Sequence, residues 1–387
     1  MLMACSGSAG EDSAPTSVGE GAERLRFADA AAAPGGVWVV GGSVISDDIY
    51  EAVTEVSVVP DPDAVAEAAA GSNQLLVQYR SDGTVRETLP LPLDSEALFD
   101  ADVATVDDRV VVAGVTCSGP SAYGCGTDAR PFAAVVADGE AREPDLGTGW
   151  PANSHAWLET FSIVGVVDGE VVVVGDIVDT VHPPGDVRAF AIDPATAAVR
   201  PLSLPEGVQS AWSVCAGDDR LVAVTPLLTE SGGDSPVGLE VWAGDAEAGS
   251  AMQRSGGLVP LPAEFAETTH RFPSVCTAEL VAVGFVGDPR VLLLDTASGS
   301  LVTTIDIAGR DIQYLLADRD QIVLARDDAQ SSETRLQRWT RHNGLSDMSD
   351  RVAFDRRLVL VDGRVVDVTA LLEHVPGSDG PALTELS

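Results

Sequence analysis

The chain has 387 residues, 45% of them apolar, and it carries 60 Asp and Glu against 23 basic residues, all Arg, for a net charge of −37. So negative a field excludes nucleic acid and anionic lipid headgroups as partners. No apolar stretch reaches the ~18 residues needed to cross a bilayer as a helix.

The amino terminus reads Met1-Leu2-Met3-Ala4-Cys5, which is Leu, an apolar residue, Ala and then Cys. It resembles a bacterial lipobox. The resemblance implies acylation of Cys5 and anchoring at the extracytoplasmic face of the cell membrane. It also implies a native start upstream, since a signal peptide needs a basic segment and then about 7–15 apolar residues. The stretch that follows, SGSAGEDSAPTSVGEGAE, is acidic and Gly/Ser-rich. Residues 1–24 are therefore expected to form the lipobox and a flexible tether.

From residue 25 onward one phrase recurs, a charged or Gly turn followed by β-branched residues. It appears at Gly35–Gly42, Asp107–Gly114, Asp168–Gly175, Asp218–Val224, Ala278–Gly284 and Asp318–Ala325. Its spacing drifts between about 40 and 75 residues, as in an array of one supersecondary unit per repeat. Each phrase is preceded by an apolar stretch and followed by a second hairpin with alternating polarity. Those second hairpins lie at Leu75–Leu91, Ala133–Leu146, Arg188–Leu204, Leu239–Gln253, Arg290–Ile307 and Arg357–Leu372. Two hairpins make a four-stranded antiparallel blade, so the fold class is all-β, a single β-propeller.

Six blades are expected, spanning 25–93, 94–148, 156–205, 208–262, 270–309 and 310–372, with 373–387 as a tail. In that count Asp327–Arg356 is a long insertion containing TRLQRWTR. In the alternative count of seven, TRLQRWTR finishes blade six and Arg357–Leu372 begins another. The best helical candidate is Asp63–Ala70, DAVAEAAA, within a loop of the first blade.

The second hairpins AFAIDPATAAV (Ala189–Val199) and LLLDTASGSLV (Leu292–Val302) resemble the A-x-D-x-x-T-G repeats of quinoprotein-like and related bacterial propellers. The resemblance supports the architecture. The Trp expected after the turn is missing, so no cofactor is expected. The Trp-Asp dipeptide of WD repeats, the paired Gly of kelch repeats and the sialidase box are absent.

Five cysteines occur. Beyond Cys5, Cys117 and Cys125 flank a short Gly- and Pro-containing loop that can bring their Cα atoms within disulfide range. Cys215 and Cys276 occupy matched phrases, SVCAGDDRLVAV and SVCTAELVAV, in neighbouring units. Two disulfides are expected, and they fit an oxidising compartment.

No catalytic constellation stands out. His155, His182, His270, His342 and His374 lack metal-ligand spacing, and no G-x-S-x-G occurs, so no metal site is expected. Asp61 with Asp63, and Asp318 with Asp320, lack EF-hand spacing and read as turn caps. The segments leading into the first strand of each unit concentrate aromatic and polar groups in an aromatic-poor chain. The candidate ligand-binding residues are Trp150, His155, Trp157, Trp212, His270, Arg271, Arg310 and Asp311. The expected function is a tethered extracytoplasmic module binding a protein or a cell-envelope glycan. The alternative is an extracytoplasmic carbohydrate-active hydrolase or lyase using carboxylates at the channel mouth.

Overall fold

The computed structural model describes residues 26–42, 75–93, 97–117, 128–153, 155–181, 185–217, 220–228, 236–245, 251–261, 274–285, 288–306, 312–318, 321–327, 333–353, 358–361, 363–372 and 382–386. The lipobox, the tether and the candidate helix Asp63–Ala70 lie outside them.

The architecture is a seven-bladed β-propeller. Blade one runs from β1 (Arg26–Ala33) at the centre through β2 (Gly36–Gly42) and β3 (Leu75–Arg80) to β4 (Val85–Pro90) at the rim. Blade two is β5 (Ala97–Val106), β6 (Arg109–Cys117), β7 (Arg130–Ala137) and β8 (Glu140–Arg142). Blade three is β9 (Ala156–Val167), β10 (Glu170–Asp179), β11 (Asp186–Ile192) and β12 (Val199–Leu202). Blade four is β13 (Val214–Gly217), β14 (Arg220–Leu228) and β15 (Pro236–Gly244), with its outer strand split into β16 (Gln253–Arg254) and β17 (Val259–Pro260). Blade five is β18 (Ser274–Cys276), β19 (Leu280–Phe285), β20 (Asp288–Asp295) and β21 (Leu301–Asp306). Blade six is β22 (Ile312–Asp318), β23 (Gln321–Asp327), β24 (Glu333–Thr340) and β25 (Gly344–Ala353). Blade seven is β26 (Leu358–Val361), β27 (Arg364–Asp367) and β28 (Thr384–Leu386), a three-stranded sheet.

The expected count of six is thus corrected to seven. The stretch expected as an insertion, residues 327–356, instead supplies β24 and β25, the outer half of blade six. β24 buries Leu336 against blade seven and Trp339 against blade five. Its apolar signal is masked by the polar run of β25, in which Leu345, Ser346, Asp347 and Ser349 are exposed. The hairpin Arg357–Leu372, expected as the outer half of blade six, is the inner hairpin of blade seven. Its outer partner β28 is only three residues long, too short to leave a periodic signal.

The unbroken apolar runs follow from stacking. Alternate residues of each second strand face opposite neighbours, and both faces are covered. In β2, Trp38 and Val40 pack with Val110, Val112 and Phe132 of blade two. Val37 and Val39 pack with Val366, Val368 and Leu371 of blade seven. In β10, Val171 and Val173 face blade two, while Val172 and Val174 face blade four. Seven apolar clusters among the described residues fill the seven seams of the ring.

Polar pins register the inner strands. The Val103 amide donates to Asp29 Oδ2 across blades one and two at 3.1 Å. The Ile163 amide donates to Asp102 Oδ2 across blades two and three at 2.9 Å. Gly165 has φ +139°, and a Cβ there would lie 2.5 Å from the Ala216 carbonyl oxygen. Only glycine lets β9 approach β13 so closely.

Cys215 and Cys276 form a disulfide between the central strands of blades four and five, with Cα atoms 5.6 Å apart. This is the pair expected from the matched phrases. Cys117, at the end of β6, is also disulfide-bonded. The expected partner, Cys125, lies outside the described residues.

Candidate interaction face

The ring presents two unequal faces. On one, the first and second strands of each blade are joined by tight turns such as Pro34–Gly35, Asp107–Asp108 and Asp168–Gly169. Asp107 and Asp168 sit there at φ 55° and 51°, the left-handed region that Asp tolerates better than most residues. The opposite ends of the strands carry the long connections, including 43–74, 118–129, 143–155, 203–213 and 261–273. The described candidates, Trp150, His155, Trp157 and Trp212, lie on a connection into a first strand or at that strand's start, hence on this second face.

Trp150 lies on the connection from β8 to β9 and is half-buried. Its ring meets Phe161 edge-on at 5.7 Å between centroids and Phe190 at 5.6 Å. The Arg188 guanidinium stands over the ring at 5.2 Å, a cation–π contact. Arg188 also donates to the Gly149 carbonyl at 3.2 Å and to Asp186 Oδ2 at 3.0 Å. The indole N–H donates to the Leu146 carbonyl at 3.3 Å. Gly175 on β10 makes room, since a Cβ there would sit 3.0 Å from Trp150 Cζ3.

Beside this cluster a groove of about 460 Å³ lies between the start of β7 and the connection from β8 to β9. Arg130, Pro131, Glu143, Asp145, Leu146 and Trp150 are among its lining residues. Its wall is held by local bonds. Asp145 Oδ1 accepts the Gly147 amide at 2.9 Å, and Asn153 Oδ1 accepts the amides of His155 and Ala156, both at 2.9 Å.

The other candidates are distributed around the same face. His155 exposes its imidazole, while its carbonyl accepts both the amide and the hydroxyl of Thr180. Trp157 opens β9, half-buried and paired with Val178. Trp212 lies in a 3-10 turn, Ala211–Ser213, capped by the Ser210 hydroxyl. It is 42% exposed. Asp176 of blade three anchors that turn by accepting the Ser210 hydroxyl and the Ala211 amide. Ser274 of blade five donates to the Trp212 carbonyl at 2.8 Å. His270, Arg271, Arg310 and Asp311 lie outside the described residues.

Sequence reasoning placed Trp150 on this face but missed its partners Phe161, Phe190 and Arg188. The last two alternate within an outer hairpin and read there as ordinary strand residues. Among the described residues no cluster of three or more His, Cys, Asp or Glu could hold a metal ion. No helix among them is long and apolar enough to cross a membrane.

No protein-family model matches the chain, and no curated protein matches it. Solved structures do. A chain in the crystal structure of a mitotic checkpoint complex aligns over 100% of both chains, with 11% identity and a TM-score of 0.51. The Pyrococcus horikoshii acylaminoacyl peptidase covers 90% of this chain and 50% of its own, with 8% identity and a TM-score of 0.49. The computationally designed Ika8 protein covers 94% of this chain and 96% of its own, with 14% identity and a TM-score of 0.46. At such identities the likeness is one of fold, and it is the first of these that supports it.

Proposed function

We propose that this chain is a lipid-tethered, extracytoplasmic propeller that holds a protein partner on its long-connection face. The observation that carries the reading is the asymmetry of the two faces. On one, first and second strands are joined by turns of two or three residues, while the other bears the longest connections and the partly exposed aromatics Trp150 and Trp212. Partly exposed aromatics beside Arg and carboxylates are the composition of binding hot spots. A propeller supplies a rigid frame on which such loops keep their geometry. The Cys215–Cys276 bridge supports an oxidising compartment, and Leu2-Met3-Ala4-Cys5 supports the tether.

The test is site-specific photo-crosslinking in the native host. A photoreactive side chain at Trp212 or His155 should yield a discrete adduct that one at Asp138, on the opposite side, does not. Cys5→Ala should move the protein out of the membrane fraction. Equal adducts on both faces would remove the binding-face reading. Membrane association unaffected by Cys5→Ala would remove the tether.

A further inference from the structure

We propose that the groove between the start of β7 and the connection from β8 to β9 takes an arginine side chain of the protein partner. The inference rests on the binding-face reading and names the chemistry that one part of that face selects.

The two walls of the groove differ. β7 contributes Arg130 and Pro131, and the connection contributes Glu143, Asp145, Leu146 and Trp150. Pro131, Leu146 and Trp150 are half-buried and make an apolar lining, while Glu143 and Asp145 are exposed. Asp145 Oδ1 accepts the Gly147 amide. Among the described residues neither carboxylate has a cationic partner. The nearby cations are engaged elsewhere. Arg142 pairs with Glu140 at 3.5 Å and Arg188 with Asp186 at 3.0 Å. Arg130, on the opposite wall, is engaged too.

Carboxylates on an open surface are simply solvated. These two border a cavity with an aromatic wall, and the complement of that combination is a cation on an apolar stem. Arginine suits it better than lysine. Its guanidinium is planar, presents paired N–H donors to a carboxylate and lies flat against aromatic surface. The protein uses the same recognition within itself. Arg188 stands over the Trp150 ring at 5.2 Å while donating to Asp186 Oδ2 at 3.0 Å. The groove offers the same two elements, aromatic and carboxylate, to a side chain from outside. Arg130 adds donors suited to the backbone carbonyls beside that arginine, which favours a peptide over a free cation. The wall is pre-formed, with the Trp150 indole N–H held by the Leu146 carbonyl at 3.3 Å, so binding orders little. The net charge of −37 draws basic partners toward the whole surface.

Titration of the purified chain with N-acetylarginine amide tests this, against N-acetylcitrulline amide at matched ionic strength. Citrulline keeps the shape and loses the charge. Of the six indole N–H signals, the one lost in Trp150→Phe should shift saturably with the arginine compound and not with the citrulline compound. Raising NaCl from about 0.05 to 0.5 M should weaken the binding, since both carboxylates are exposed. Glu143→Gln and Asp145→Asn should each weaken it about two- to fivefold, and together about tenfold. Asn keeps an oxygen that can accept the Gly147 amide, so the wall survives that change. Glu140→Gln, on β8 and outside the groove, should bind as the wild type does. No shift of the Trp150 signal, an equal shift with citrulline, or undiminished binding in the Glu143→Gln/Asp145→Asn double variant would each overturn the inference. The titration needs no host partner and the crosslinking at Trp212 or His155 needs no groove, so failure of one reading is distinguishable from failure of the other.

Discussion

Trp150 and Gly175 are coupled by contact, and that coupling can be measured. Gly175→Ala places a methyl group 3.0 Å from the indole, an overpacking that should cost about 1–3 kcal/mol in urea unfolding. Trp150→Ala should cost about 1–3 kcal/mol, below the usual range for a buried Trp because the ring is only half-buried. The double variant should cost clearly less than the two together, since each removes the reason for the other's effect. Additive costs would place the strain of Gly175→Ala elsewhere. A second residue-scale prediction concerns Asp193 in the turn after β11. The Thr196 hydroxyl donates to its Oδ2 at 2.6 Å and the Ala195 amide to its Oδ1 at 2.7 Å. These bonds, the hydroxyl's first, hold its carboxyl below the ordinary carboxylate range. The folded state thus favours the charged form, and the associated stability is present above the ordinary range and lost as pH falls through the lowered value. Thr196→Val should move the Asp193 titration back up, as read by carboxyl NMR. The same geometry explains the D-x-x-T pattern in this hairpin: the Asp caps the turn and the Thr anchors the Asp.

Blades four and five show what one covalent element adds. β13 and β18 are short, yet the Cys215–Cys276 bridge joins them at the centre of the ring. Its sequence separation is 61 residues, for which the chain-entropy account gives about 4 kcal/mol. Replacing both cysteines with Ala should lower unfolding stability by that order. The loss should appear first as faster amide exchange along β13 and β18, measured by mass spectrometry. Protection there equal to the wild type would mean that packing of Val222, Val224, Val281 and Val283 in the same seam suffices.

The whole ring depends on how its ends meet. In the described residues, blade one is built from the amino-terminal part of the chain and blade seven from the carboxy-terminal part, with no strand exchanged between them. The seam is closed by Val37, Val39, Val77 and Tyr79 against Val366, Val368 and Leu371, together with a Leu383 amide bond to the Ser81 carbonyl at 3.0 Å. Leu371→Ala should cost about 2–5 kcal/mol. Because no strand is shared across this seam, hydrogen exchange should rise in blades one and seven before it rises in blade three. Uniform loosening of all seven blades would mean that the ring opens as a single cooperative unit.

The repeat, the all-β class, the inner hairpins and the Cys215–Cys276 pairing were legible in the chain alone. Each rests on local chemistry, namely β-branched runs that must be covered on both faces, turn residues such as Asp168 and Gly169 that tolerate left-handed φ, and matched phrases that must occupy matched places. The number of blades was not legible. A blade's outer strands face water, so β25 and β28 owe their pairing to neighbours far along the chain rather than to their own periodicity. The cluster around Trp150 was legible only in part. The indole stands out in an aromatic-poor sequence, but Phe161, Phe190 and Arg188 meet it because β9 and β11 flank β10, which exposes Gly175 beneath the ring. Composition determined what this protein could bury. Only the closing of the ring decided which side chains came to share a surface, because that depends on the order and stacking of strands whose sequences carry no record of their neighbours.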